Sequence, residues 1–183
     1  ITPNLLRESY MAVNRRAAAG VDGMTWPEYG RDLEGRLKGL HARIQRGDYW
    51  VSPSRRVNIP KPGGGQRPLG IATLEDKIVQ RALTTVLNAV YEEDFLGLSY
   101  GFRPGRHPHQ ALDAVSYGIE RRRVSWVLDA DIRGFFDAID HDRLMELLQH
   151  RIGDRRLLRL IHKMLVAGVL EDGRVRSSTR GSA

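Results

Sequence analysis

Two groups of residues have the types and spacing to act on phosphates. The first is Lys61 and Arg67, on either side of Pro62-Gly63-Gly64-Gly65. Both stand three residues from Gly64, so a symmetric hairpin centred there sets them opposite each other on one face. Opposed cations repel unless an anion lies between them. Glycines let the turn approach such an anion closely, and a guanidinium fork matches phosphate oxygens. A solvated edge hairpin with both cations in water fits the same residues.

The second group is Asp129, Asp131, Asp137, Asp140 and Asp142. Asp131 follows the apolar run Ser125–Ala130, read as a short buried strand, and would project from its end. A hard cation such as magnesium takes oxygen ligands of this kind and completes its shell with substrate phosphates. Paired-metal phosphoryl transfer needs carboxylates converging from separate segments, and one such segment is visible. Asp129, on the same strand face as Asp131, is either a second ligand or an exposed rim residue. Asp140 and Asp142 read as a helix cap and first-turn charge, and Asp137 as the partner of a nearby Arg.

Other chemistries find no support. His107, His109, His141 and His150 show no metal-ligand spacing, His107 and His109 reading as a helix start and His141 as a packing or capping residue. There is no nucleophile triad, dinucleotide fingerprint or Walker loop, and with no cysteine there is no disulfide or zinc knuckle. Tyr100, Phe102, Arg103 and Arg106 combine aromatic and cationic groups as single-strand-binding surfaces do, or form a packed loop.

The elements that must position these groups follow from periodicity. Leu6, Tyr10, Val13 and Ala17 predict a helix over about 4–18, and Tyr29, Leu33, Leu37, Leu40 and Ile44 a second from Pro27 to Gly47. From Tyr49 to Leu74 there is no acidic residue, while Arg55, Arg56, Lys61 and Arg67 all fall there. Arg55–Pro60 and Arg67–Ala72 predict two strands of a hairpin. Leu74, Ile78, Ala82, Val86 and Val90 predict a helix with Lys77, Arg81 and Thr84 on its outer face. Another, about 108–121, would pack on Leu112, Val115 and Ile119. Two more follow around 144–151 and 155–167, then a hairpin at Asp172-Gly173. This order predicts an α+β fold.

The chain has 183 residues, 41% hydrophobic and 28% charged, the composition of a folded globular protein. Lys and Arg outnumber Asp and Glu by 29 to 22, a net charge of +7. Such an excess favours a polyanionic partner, or a basic surface that keeps the protein soluble. No apolar run is long enough for a membrane span and no signal-peptide pattern opens the chain. Ile1 at one end and Ser177–Ala183 at the other read as cut ends of a longer protein.

In this order the segments resemble the group II intron reverse transcriptases and their relatives. Gly20-Val21-Asp22-Gly23-Met24-Thr25 resembles the family's N-terminal motif. Ile59-Pro60-Lys61-Pro62 to Arg67-Pro68-Leu69-Gly70-Ile71 resembles the first reverse-transcriptase motif. Ser99–Arg106 followed by His109-Gln110-Ala111-Leu112 resembles the second, and Asp131–Asp137 with Ile139-Asp140-His141 the third.

The resemblance implies a right-hand polymerase: residues 1–48 the helical start of the fingers, 49–123 the fingers with the clamp hairpin, and 124–183 the first part of the palm. It implies that Asp131 binds two magnesium ions, helped by the Ile132 carbonyl, and that Lys61 and Arg67 hold the incoming triphosphate. Phe136 would sit under the sugar as a gate against ribonucleotides, with the backbone of Gly134 and Phe135 facing the phosphates. Arg55, Arg56, Arg103 and Arg106 are expected to meet nucleic acid. Expected partners are an RNA template, an RNA/DNA duplex, intron RNA and deoxynucleoside triphosphates, in bacterial cytoplasm. The family's Tyr/Phe-x-Asp-Asp motif is missing, although Arg180-Gly181-Ser182-Ala183 resembles the start of the segment that precedes it. With one of three expected carboxylates, this length of chain is expected to be inactive alone. A non-enzymatic RNA-binding splicing factor and a CRISPR-associated relative are the alternatives.

Overall fold

The computed structural model describes residues 1–122, 124–177 and 180–181. Helix α1 (Pro3–Ala12) starts at Thr2, whose hydroxyl accepts the Leu5 N–H at 3.2 Å. It stops well short of residue 18, because Val13 turns extended and the Asn14 side chain captures the Arg16 N–H at 2.9 Å. Such local side-chain bonds compete with the helical ladder. The long second helix is two helices, α2 (Trp26–Gly30) and α3 (Leu33–Arg46), broken at Arg31-Asp32 and closed by Gly47.

The core forms where their apolar faces meet those of later elements. Leu6, Tyr10, Tyr29, Leu37 and Leu40 bury against Tyr49, Leu74, Ile78, Val79 and Ala82. Each fully buried aliphatic side chain contributes roughly 1.5–3 kcal/mol. Tyr10 and Trp26 stack with centroids 4.5 Å apart. The Tyr10 hydroxyl donates to the Trp26 carbonyl at 3.0 Å, and the Trp26 indole N–H to the Tyr10 carbonyl at 3.1 Å.

Strands β1 (Ser54–Pro60) and β2 (Gln66–Ile71) form the antiparallel hairpin. Helix α4 (Leu74–Tyr91) follows, with Leu74, Ile78 and Ala82 buried as their spacing requires. A 3₁₀ turn (Glu92–Asp94) leads to a loop and then α5 (Pro108–Arg122). After α6 (Phe135–Ala138), α7 (His141–Arg151) and α8 (Arg155–Val166), the strands β3 (Val169–Glu171) and β4 (Arg174–Arg176) turn at Asp172-Gly173. β3 runs parallel to β1, giving sheet order β2-β1-β3-β4. Mixed helix and sheet in this arrangement is an α+β fold, and no helix among the described residues is long and apolar enough to cross a membrane.

The chain divides into two compact units, residues 1–83 with 134–183, and residues 84–133. Two expectations fail in the second. Leu112, Val115 and Ile119, expected to pack, are each about half exposed or more, since no described element of their own unit covers that stripe of α5. The run Ser125–Ala130 is not a strand. It is irregular and open, with Trp126 91% and Leu128 90% exposed. A strand exists only by pairing, and no described strand pairs with this one. Ser178, Thr179, Ser182 and Ala183 lie outside the described residues.

Candidate functional site

The hairpin register differs from the symmetric one. Arg67 faces Ile59 and Gln66 faces Pro60, while the Lys61 N–H donates to the Gly65 carbonyl at 3.1 Å. The turn is therefore centred one residue earlier than Gly64. Lys61 and Arg67 are not directly opposed; Lys61 stands two positions beyond Ile59, Arg67's partner. Diagonal neighbours on one face are roughly 7–8 Å apart between backbones, close enough for both side chains to reach one triphosphate without pressing on each other. Both are exposed, and no carboxylate among the described residues pairs with either.

A buried network fixes the base of this hairpin. Asp76 is 1% exposed. Its carboxylate accepts from the Ser52 N–H ahead of β1 at 3.2 Å, from the Thr73 hydroxyl beyond β2 at 2.6 Å, and from the Tyr49 hydroxyl. The Asp76 N–H in turn donates to the Thr73 hydroxyl at 3.2 Å. Burial pushes the Asp76 carboxyl above the usual carboxylate range, against the pull of these donors. It likewise pushes the Tyr49 hydroxyl up, with the Asp76 charge adding to the effect. Sequence reading missed this clamp, although Thr73-x-x-Asp76 has the spacing of a helix capping box. Beside it Gly20 lies so close to Thr73 that a Cβ there would meet the Thr73 Cα at 2.6 Å.

In the acidic segment, Asp140 caps α7, accepting the Asp142 and Arg143 N–H groups at 3.1 Å each. Asp137 has no Arg partner among the described residues, against expectation; the cation near this turn, Arg180, lies 3.8 Å from Asp140 instead. Phe135 and Phe136 open α6 after the left-handed Gly134, with rings edge to face and centroids 5.4 Å apart. They are 50% and 62% exposed, so neither is core. Gly181 sits against this turn: its N–H donates to the Ile139 carbonyl at 2.8 Å, and its own carbonyl lies 2.6 Å from His141 Nε2. A carbonyl only accepts, so Nε2 carries the proton. Asp131 and Asp129 belong to the other unit and are exposed. They offer the hard oxygen donors magnesium prefers, but no three His, Asp or Glu side chains among the described residues gather as a metal site.

The arginines expected at nucleic acid are largely engaged within the protein. Arg55 donates to the Ala19 carbonyl at 2.8 Å, and Arg56 lies 4.0 Å from Glu171. Arg103 has a side chain only 6% exposed, bonded to Glu92 at 2.6 Å and to the Leu96 and Ser99 carbonyls at 2.8 and 2.9 Å. It ties its own loop together rather than facing solvent, and its hydrogen bonds, with its charge adding to them, hold the Glu92 carboxyl below its usual range. Arg106 lies over the Tyr100 ring at 5.6 Å, and Phe102 projects fully into solvent with φ of 58°.

Residues 59–182 match the family described as reverse transcriptase (RNA-dependent DNA polymerase), a span that holds Lys61, Arg67 and β2 of the hairpin, the tied loop and the acidic segment. The chain belongs to that family. Its relatives place it with the group II intron-encoded proteins. It is 32% identical to the group II intron-encoded protein LtrA of Lactococcus lactis over 183 residues, all of this chain and 30% of that protein. It is 38% identical to protein YkfC of Escherichia coli over 165 residues, 88% of this chain and 43% of YkfC. It is 32% identical to nuclear intron maturase 1 of Arabidopsis thaliana over 91 residues. The chain thus spans less than half the length of each of these relatives.

Proposed function

We propose that this chain supplies the fingers (residues 1–123) and the first part of the palm (124–183) of an RNA-directed DNA polymerase that also assists splicing of its own intron RNA. What carries the reading is the pair of free cations, Lys61 and Arg67, on a rigidly based hairpin within the family match. RNA binding alone would not require a nucleotide clamp. In this reading Lys61 and Arg67 grip the triphosphate of a deoxynucleotide, Gly134 and Phe135 present backbone to it, and Phe136 lies under the sugar. Asp131, with the Ile132 carbonyl, would hold magnesium, which supplies charge stabilisation for in-line displacement at the α-phosphate. Further carboxylates would have to come from elsewhere in the whole protein, consistent with the fraction of each relative that the chain covers.

A splicing role draws support from the relatives named as intron-encoded and maturase proteins. Arg106, beside Tyr100, would meet template RNA, while Arg55, Arg56 and Arg103 would act through the shape they maintain. The deciding experiment is primer extension on an RNA template by the full-length protein with magnesium and all four deoxynucleotides. Labelled cDNA is expected. Tight RNA binding without any extension would instead assign the protein to splicing alone.

A further inference from the structure

Between the C-terminal end of α3 and the first turns of α8 lies a cavity of about 180 Å³, large enough for a phosphate group with several waters. Four cationic side chains line it, Arg46, Arg156, Arg159 and Lys163, against the single carboxylate of Asp154. The excess is cancelled only in part within the protein. Asp154 is committed to the α8 cap, accepting the Arg156 and Leu157 N–H groups at 2.8 and 3.4 Å, and these donors lower its pKa. The Arg156 guanidinium lies 3.5 Å from Asp154, Arg46 pairs with Asp48 at 2.7 Å, and Lys163 donates to the Gly47 and Tyr49 carbonyls at 2.7 and 2.8 Å. Arg159 has no such partner among the described residues. Its Nη1 reaches toward Gly47, 3.5 Å from where a side chain would begin.

Trp50 stands beside this cavity, 76% exposed, with Lys163 Nζ 4.5 Å from its ring centroid. That contact leaves most of the indole open to solvent. With the Lys163 ammonium at its ring and Arg159 one turn earlier on α8, it offers the combination of aromatic and cationic groups that single-strand-binding surfaces use. None of these residues belongs to the nucleotide site.

We propose that this cavity is a second RNA contact, in which Arg159 meets a backbone phosphate of single-stranded RNA and Trp50 stacks on an adjoining base. It holds RNA without acting on it, so it stands or falls separately from polymerase activity. The test uses the full-length protein and a labelled single-stranded RNA oligonucleotide, titrated over a series of chloride concentrations. Arg159→Gln is expected to reduce the magnitude of the log–log salt slope by about 0.7, the value for one phosphate contact on a single strand. Arg159→Lys should restore most of that slope. Trp50→Leu should weaken binding about five- to a hundredfold with the slope unchanged. An unchanged slope in Arg159→Gln overturns the proposal. So does a loss accompanied by a lowered melting temperature and not restored by Lys, which makes Arg159 structural. If inorganic phosphate at matched ionic strength erases the difference between wild type and Arg159→Gln, the cavity takes free anions and the RNA assignment is wrong.

Discussion

His141 Nε2 lies 2.6 Å from the carbonyl oxygen of Gly181, joining the start of α7 to a residue forty positions later. The same glycine bonds Ile139, and a Cβ on it would lie 3.1 Å from the Asp137 carbonyl oxygen and 3.2 Å from that of Phe136. Its φ of +80° adds a second reason for glycine. Gly181→Ala should therefore lower stability by about 1–3 kcal/mol through strain and displaced contacts. Urea unfolding of the full-length protein measures it, and a change within error would mean that this contact is not maintained in solution.

The two phenylalanines of α6 are both about half exposed, so neither mutation should collapse the core. Phe136→Ala is expected to admit ribonucleotides while deoxynucleotide use survives, because a flat ring under the sugar crowds a 2′-hydroxyl and leaves it unpaired. Phe135→Ala should cost about 0.5–1.5 kcal/mol of stability, the worth of the aromatic pair, and leave sugar discrimination alone. Single-nucleotide incorporation with ribo- and deoxyribonucleotides separates the two. Reversed outcomes would place the gate at Phe135.

Arg67→Ala should raise the apparent KM for nucleotide and lower kcat. The guanidinium would meet phosphate oxygens whose charge grows during transfer. Losing one charge-assisted hydrogen-bonding group costs roughly 1.5–3 kcal/mol, about tenfold to a hundredfold. Unchanged nucleotide kinetics with weakened template binding would mean that the hairpin grips nucleic acid rather than the triphosphate.

Asp76→Asn should destabilise the protein by about 1–3 kcal/mol, since three donors converge on the carboxylate and an amide offers one acceptor oxygen. Burial raises the folded-state pKa of Asp76. Its protonation therefore favours the folded state: that contribution is complete below the ordinary Asp value and is lost as pH rises through the raised one. Melting temperatures across this window should fall with rising pH more in wild type than in Asp76→Asn. Parallel pH profiles would count against this role for the buried carboxyl.

Much of this was legible in the sequence because helices declare themselves by their spacing. Leu74, Ile78 and Ala82 are buried as their four-residue period requires, and Asp140 caps α7 as its position before Leu144 implied. Hairpin register was not legible, since three consecutive glycines leave the turn centre undetermined and a one-residue shift moves Lys61 from opposite Arg67 to a diagonal position. Nor could Ser125–Ala130 be resolved: an apolar run states a capacity to pair, and the partner lies elsewhere in a sequence. The Asp76 clamp and the seat of Gly181 join residues distant along the chain, and such contacts leave only faint local traces. The four motifs carried the family because order and spacing together are far more specific than any single turn or strand.

Asp131 is proposed to hold catalytic magnesium in an RNA-directed DNA polymerase. Asn preserves the size of this side chain and removes the charge that keeps divalent ions in place. In the full-length protein, Asp131→Asn is expected to abolish RNA-templated cDNA synthesis while RNA affinity and melting temperature stay at wild-type values. Appreciable primer extension by Asp131→Asn in magnesium would contradict the account and put the metal site elsewhere.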